Sequence, residues 1–317
     1  MLALPCAVAQ QSQTLANVLK QESIPVPPAS VPHLNSQITS YATLNDDREF
    51  LIAYYLLNPQ DEMLRFPLFI TRFDKQAAKW QNIALRDIKI TAALPGKEGQ
   101  VPGECIGSVM RVARNRGWYY LDLHWTPSAG CLLVLKQDLS VFQTLPGSTA
   151  AFFASDLLVY SGNMVHFADV HPEALFLYDP TKRESQQIYP PKDDPFRRNF
   201  SARLAKAIDQ TQCAARGWVC DPEHFASTVR RVEVNDETQA LAFQVDYTNE
   251  GFFTRGEAED TGIFDDDQYV YVYQLKPLRW REFSVYDLKP DFGTDSLKEL
   301  LTPARLQQVF SHPGPHY

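Results

Sequence analysis

The chain has no run of about 18 apolar residues, the least that a membrane-spanning helix needs. It also lacks a glycine-rich phosphate loop, a Gly-x-Ser-x-Gly nucleophile elbow and a His-Glu-x-x-His helix. The nucleotide-binding, serine-hydrolase and metallopeptidase classes built on those motifs are therefore not indicated. None of the five cysteines forms a Cys-x-x-Cys pair, so no zinc ribbon is encoded. Positive charge is short as well: 30 Lys and Arg stand against 38 Asp and Glu, a net charge of −8. Nucleic acid is a poor partner for such a chain, because phosphate neutralisation needs a basic face.

What is present is an ordinary globular composition, 44% hydrophobic and 21% charged over 317 residues. The clearest stretch runs from Thr149 to Pro190 and reads as four short strands. Thr149–Ala154 is small and aromatic; Ser155 and Asp156 form a turn, since both side chains bond nearby amides. Leu157–Ser161 is the second strand, Ala174–Tyr178 the third, and Ser185–Tyr189 the fourth. Asp179-Pro180-Thr181 turns between the last two, with Pro180 presetting the turn's second residue. Short connections of this kind make an antiparallel meander.

The unit recurs three more times. First turns fall at Asn45-Asp46-Asp47, Asn115-Arg116-Gly117 and Asn235-Asp236-Glu237, each followed by a strongly apolar strand. Trp80, Phe142 and Trp280 open the last strand of three outer hairpins. Alternation is plain in the fourth unit: Leu241, Phe243, Val245 and Tyr247 share one face, and Ala240, Ala242, Gln244 and Asp246 the other. The repeat, from about Gln37 to Leu288, resembles a β-propeller, a ring of four-stranded blades around a channel. The resemblance implies an all-β fold of four or five four-stranded antiparallel blades, with a helical insertion and a helical C-terminal tail. An N-terminal strand is available to complete the last blade.

Around the repeat, residues 1–9 end in Ala7-Val8-Ala9 and resemble the remnant of a secretory signal with its small-residue cleavage site. Residues 10–35 hold a short helix over Thr14–Gln21 and a proline-rich stretch, Ile24–Pro32, read as a simple spacer. The propeller-like domain covers 36–290. Its insertion, 191–226, carries a helix over Pro195–Gln212 in which Phe196, Phe200, Leu204 and Ile208 recur every four residues. The tail, 291–317, suggests two short helices, one capped near Asp295 and one started by Thr302-Pro303.

Three groups of side chains have the right types for a site. His166, Asp169 and His171 share one inter-strand loop, and imidazole with carboxylate binds a transition metal, a sugar or an anion. Asp260, Asp265, Asp266 and Asp267 lie in an acidic loop, oxygen ligands that suit calcium without EF-hand spacing. A solvated loop is the ordinary reading of both. Cys213 and Cys220 are expected to form a disulfide, since loss of Cys6 with a signal leaves an even four cysteines. Cys105 and Cys131 are expected to stay apart, because first and third strands of one blade are beyond disulfide reach.

The functional expectation is a secreted or periplasmic binding or interaction protein, non-catalytic, with an unknown protein or carbohydrate as partner. It rests on the scaffold and on the missing catalytic motifs. Two rivals remain. One is a carbohydrate-active hydrolase or lyase using channel carboxylates, for which Asp122, Asp246 and Glu233 are available. The other is a structural subunit of an extracellular assembly, which would show an apolar patch or a free sheet edge.

Overall fold

Among the described residues, alternating apolar residues and short polar turns produce four antiparallel sheets, one for each repeat. The structure is a computed structural model that describes residues 13–29, 31–57, 67–92, 103–105, 107–126, 129–162, 174–191, 226–248 and 267–312, with isolated helical positions between 198 and 215. The first sheet contains β1 (Gln13–Thr14), β2 (Gln37–Asn45), β3 (Glu49–Leu56), β4 (Leu68–Asp74) and β5 (Lys79–Leu85), adjacent in that order. The second contains β6 (Ser108–Asn115), β7 (Trp118–Thr126), β8 (Ala129–Leu135) and β9 (Val141–Pro146). The third contains β10 (Ser148–Phe152), β11 (Leu158–Gly162), β12 (Ala174–Asp179) and β13 (Glu184–Tyr189). The fourth contains β14 (Ala226–Asn235), β15 (Ala240–Thr248), β16 (Asp267–Leu275) and β17 (Leu278–Ser284). The second and third strands of every four-stranded repeat pair antiparallel, as the meander reading requires.

The turns form where the polar residues stand. Asp46 Oδ1 accepts the backbone N–H groups of Arg48 and Glu49 at 2.8 and 3.0 Å. Asp74 accepts those of Gln76 and Ala77, and Asp179 accepts that of Thr181. Each bond gives a turn amide a partner outside the ladder. The aromatics that open the outer strands contact another ring of the same sheet: Trp80 and Phe142 lie tilted against Phe73 and Trp118, and Trp280 stacks on Tyr273, with centroids 4.7, 4.6 and 6.0 Å apart.

The chain divides into two compact units, Met1–Thr149 and Ala150–Tyr317. In the first unit, Leu51, Ala53 and Tyr55 of β3 pack with Leu121 and Leu123 of β7 and Leu133 of β8. The opposite face of β3, Phe50, Ile52 and Tyr54, is covered by α1 (Leu15–Gln21) through Leu15, Val18 and Leu19. Ile24 and Val31 are buried in the same cluster. The Ile24–Pro32 stretch is thus a strap on the first sheet rather than a simple spacer. Its two inward side chains bury apolar surface, while Val26 between them is 87% exposed. The N-terminal strand does not complete the last sheet. β1 adds to the first, with Gln13 opposite Ile38.

In the second unit, Leu241, Phe243, Val245 and Tyr247 of β15 pack against Phe153, Val159, Leu175 and Tyr189 of the third sheet. Ala240 and Ala242 face the other way, into a cluster with the C-terminal helices. Those small residues leave room for the helices to approach. Three helices are present where the sequence suggested two: α2 (Val285–Phe292), α3 (Leu297–Leu300) and α4 (Pro303–Ser311). The additional one, α2, is capped by Ser284, whose Oγ accepts the Tyr286 N–H, and ends at Gly293 in the left-handed region. Ser296, next to Asp295, caps α3, and Thr302-Pro303 opens α4 as expected. Among the described residues, no helix is long and apolar enough to cross a membrane.

Cys105 and Cys131 form a disulfide, with Cα atoms 5.6 Å apart. The opposite expectation placed Cys105 on a first strand. That strand begins only at Ser108, and Cys105 lies in the preceding segment, where its N–H donates to the Ile88 carbonyl at 2.7 Å. From there the chain passes close to β8, so the argument from two strand spacings does not apply. Cys213 and Cys220 lie outside the described residues, as does the helix of the 191–226 insertion except for the isolated positions. Non-reducing peptide mapping of the native protein is expected to recover peptides 105 and 131 joined. Because the cross-link spans 26 residues, its reduction should lower stability by about 3 kcal/mol in denaturant titration. Two alkylatable thiols at these positions would contradict it.

Candidate functional site

The groups singled out in the sequence are distributed as follows. His166, Asp169 and His171 lie outside the described residues, and so do Asp260, Asp265 and Asp266. The backbone of Asp267 opens β16 opposite Tyr247. Among the described residues, no group of three or more His, Cys, Asp or Glu is placed to hold a metal ion. Of the strand carboxylates, Asp122 accepts both the N–H and the hydroxyl of Thr149, at 3.0 and 2.6 Å. Burial keeps its carboxyl above the ordinary value, against those two bonds. Asp246 is paired with Arg230 at 3.1 Å, and Glu233 is exposed.

The two units hold corresponding pairs of sheets, and strand register aligns several of their positions. In the first sheet Asp74 lies opposite Lys79, and in the third Asp179 lies opposite Glu184, each closing a four-residue turn with its own carboxylate. Two residues earlier on the third strand stand Arg72 and Leu177, opposite Gln81 and Gln186. Glu49 and Leu157 supply the carbonyls that close the first turns, to Asp46 and Phe153. In the second and fourth sheets, Arg114 opposite Tyr119 corresponds to Val234 opposite Leu241.

These matched positions carry opposite chemistry. In the first unit they form a charged clamp. Glu49, 1% exposed, accepts Arg72 Nε at 2.6 Å, and the Tyr119 hydroxyl and Arg114 Nη1 at 2.5 Å each. Arg114 Nη2 reaches on to Asp46 at 2.7 Å. Burial would raise the Asp46 carboxyl, but the Arg48 and Glu49 N–H groups and the Arg114 guanidinium hold it below the ordinary value. Burial and the neighbouring Glu49 push the Tyr119 phenol far up, so it remains a donor.

In the second unit the same positions are Leu157, Leu177, Val234 and Leu241. Here a groove of about 530 Å³ opens between the third and fourth sheets, at the end where their tight turns gather. Its apolar lining is Leu157, Leu177, Leu275 and Leu278, the last 56% exposed. Its polar rim includes Asp179, Lys182, Glu184, Gln186 and Lys276. Lys182 pairs with Asp179 at 3.3 Å. Burial acts to raise the Asp179 carboxyl, but the Thr181 hydroxyl and N–H and the Lys182 ammonium keep it low and ionised. A half-buried aliphatic floor with a polar rim is what an orienting binding site needs. In the sequence these leucines were indistinguishable from core residues of their strands. No protein-family model matches the chain, and no curated protein sequence matches it.

The clamp is a test of the register match. Glu49→Leu alone takes the shared carboxylate from two largely buried guanidinium groups and is expected to cost about 3 kcal/mol. Replacing the three charged members by their second-unit counterparts, Glu49→Leu with Arg72→Leu and Arg114→Val, should recover most of that loss in denaturant titration. A triple variant less stable than the single one would contradict the correspondence.

Proposed function

We propose that the protein is a non-catalytic binding module of an oxidising compartment, secreted or periplasmic, whose sheets act as propeller-like blades and whose ligand lies in the leucine-floored groove. The observation that carries this reading is the groove itself: a concavity of about 530 Å³ whose floor is aliphatic and exposed at Leu278. An apolar side chain that is 56% exposed at the mouth of such a concavity gains by being covered. The aliphatic lining suits an aliphatic side chain of a protein partner better than a sugar ring, which stacks on aromatic faces. The buried Cys105–Cys131 disulfide supports an oxidising environment. The hydrolase reading has less support, since Asp122 and Asp246 are engaged by Thr149 and Arg230.

The environment-sensitive dye anilinonaphthalene sulfonate tests the groove. Its fluorescence should rise on mixing with the oxidised chain, and Leu278→Asp should abolish the rise without moving the thermal midpoint. Equal enhancement in the variant would remove the groove as the site.

A further inference from the structure

The first unit contains a built-in picture of what the groove lacks. Its β8–β9 turn, Lys136–Ser140, folds back over the sheet ends and sinks Leu139 into the core, where it is 0% exposed. The flanking carbonyls are held by the first sheet. Gln137 O accepts Arg72 Nη1 at 3.0 Å, and Asp138 O accepts Gln81 Nε2 at 2.8 Å. The equivalent β16–β17 hairpin of the second unit does otherwise. It runs on as paired strand, Gln274 opposite Arg279 and Leu275 opposite Leu278, and turns at Lys276-Pro277. No residue of that turn takes the place of Leu139. Gln186, the counterpart of Gln81, still lines the groove, exposed and with no side-chain hydrogen bond among the described residues.

Charge at the rim narrows the occupant. Asp179 is answered by Lys182. Lys276, on the fourth-sheet wall, and Glu184, on the third-sheet wall, are exposed and have no ion pair among the described residues. An occupant with a carboxylate toward Lys276 and an ammonium toward Glu184 complements both walls. The first unit's own turn, Lys136-Gln137-Asp138-Leu139, has that pattern around its leucine.

We infer that the groove receives a turn or extended segment of a partner protein that presents a leucine beside an acidic residue, with a basic residue close by. The leucine lies on Leu157, Leu177 and Leu278, a main-chain carbonyl accepts from Gln186, and the acidic side chain meets Lys276. This rests on the binding-module reading above and specifies its ligand.

The probe is a fluorescein-labelled peptide of residues 135–142, LKQDLSVF, titrated by anisotropy into the oxidised full-length chain. Saturable binding is expected, weakened at least about tenfold by Leu139→Ala in the peptide. In the protein, Leu278→Asp should remove binding and Gln186→Ala should weaken it severalfold. Lys276→Glu should weaken it at low salt and be compensated by Asp138→Lys in the peptide. Equal binding of the leucine and alanine peptides, or no binding of either, overturns the inference. The dye separates the two readings. Dye bound at Leu278 that the peptide does not displace leaves the groove a binding site and removes the peptide. Dye binding that is indifferent to Leu278→Asp removes both. A concentration-dependent dimer abolished by Leu278→Asp would assign the groove to a second copy and likewise overturn the partner peptide.

Discussion

The second strand of each four-stranded repeat must be covered on both faces, and most of the described structure follows from that. All of β3 but its last residue is buried, and all of β11 is. A strand has two faces because its side chains alternate, so a sheet built on such a strand needs an apolar layer on each side. In the first unit one layer is the second sheet, and the other is α1 with the strap through Ile24 and Val31. In the second unit one layer is the third sheet, packed on Leu241, Phe243, Val245 and Tyr247. The other is the set of C-terminal helices on Ala240, Ala242, Val270 and Val272. Residue size suits each cover: aromatic side chains on β3 reach out to a short helix and an irregular strap, whereas alanines on β15 admit several helical side chains.

At the ends of the paired sheets the same need is met in two ways. The first unit closes its end with a clamp of Glu49, Arg72, Arg114 and Tyr119, plus Leu139 folded in from a turn. A buried charge network holds only if all its members are satisfied, and here the fully buried carboxylate receives three donors. The second unit has leucines and valine at those positions and no turn leucine over them. Its end therefore remains a groove with a half-exposed aliphatic floor. The contrast between two copies of one pattern is what sets the groove apart from the closed end of the first unit.

Much of this was legible in the chain. Strand limits within the 149–190 repeat were set by Ser155-Asp156, Gly162 and Asp179-Pro180, whose backbone preferences are local. The two faces of β15 were readable from alternation alone. What was missed depends on distance or on disguise. Pro290 and the polar run around it concealed α2, although Ser284 and Gly293 are the caps of a helix. The Cys105–Cys131 bond was set aside because Cys105 was placed on the first strand of its unit, which begins only at Ser108. The clamp and the groove come from register across strands many residues apart. Glu49, Arg72 and Arg114 are far apart in the chain and carry no local sign that they meet, and Leu157 and Leu177 look like any other apolar strand residue. The histidine loop and, apart from the backbone of Asp267, the acidic residues that drew attention in the sequence lie outside the described set.

The central claim is that the second unit presents an open aliphatic floor where the first unit is closed. Leucine methyl NMR of the oxidised full-length chain reads it directly, using a soluble paramagnetic probe that broadens solvent-accessible methyls. The account predicts broadening at Leu157, Leu177, Leu275 and Leu278, and sharp methyls at Leu51, Leu121, Leu133 and Leu139. Sharp signals from the four groove leucines, or broadening of Leu139 to match them, would contradict it.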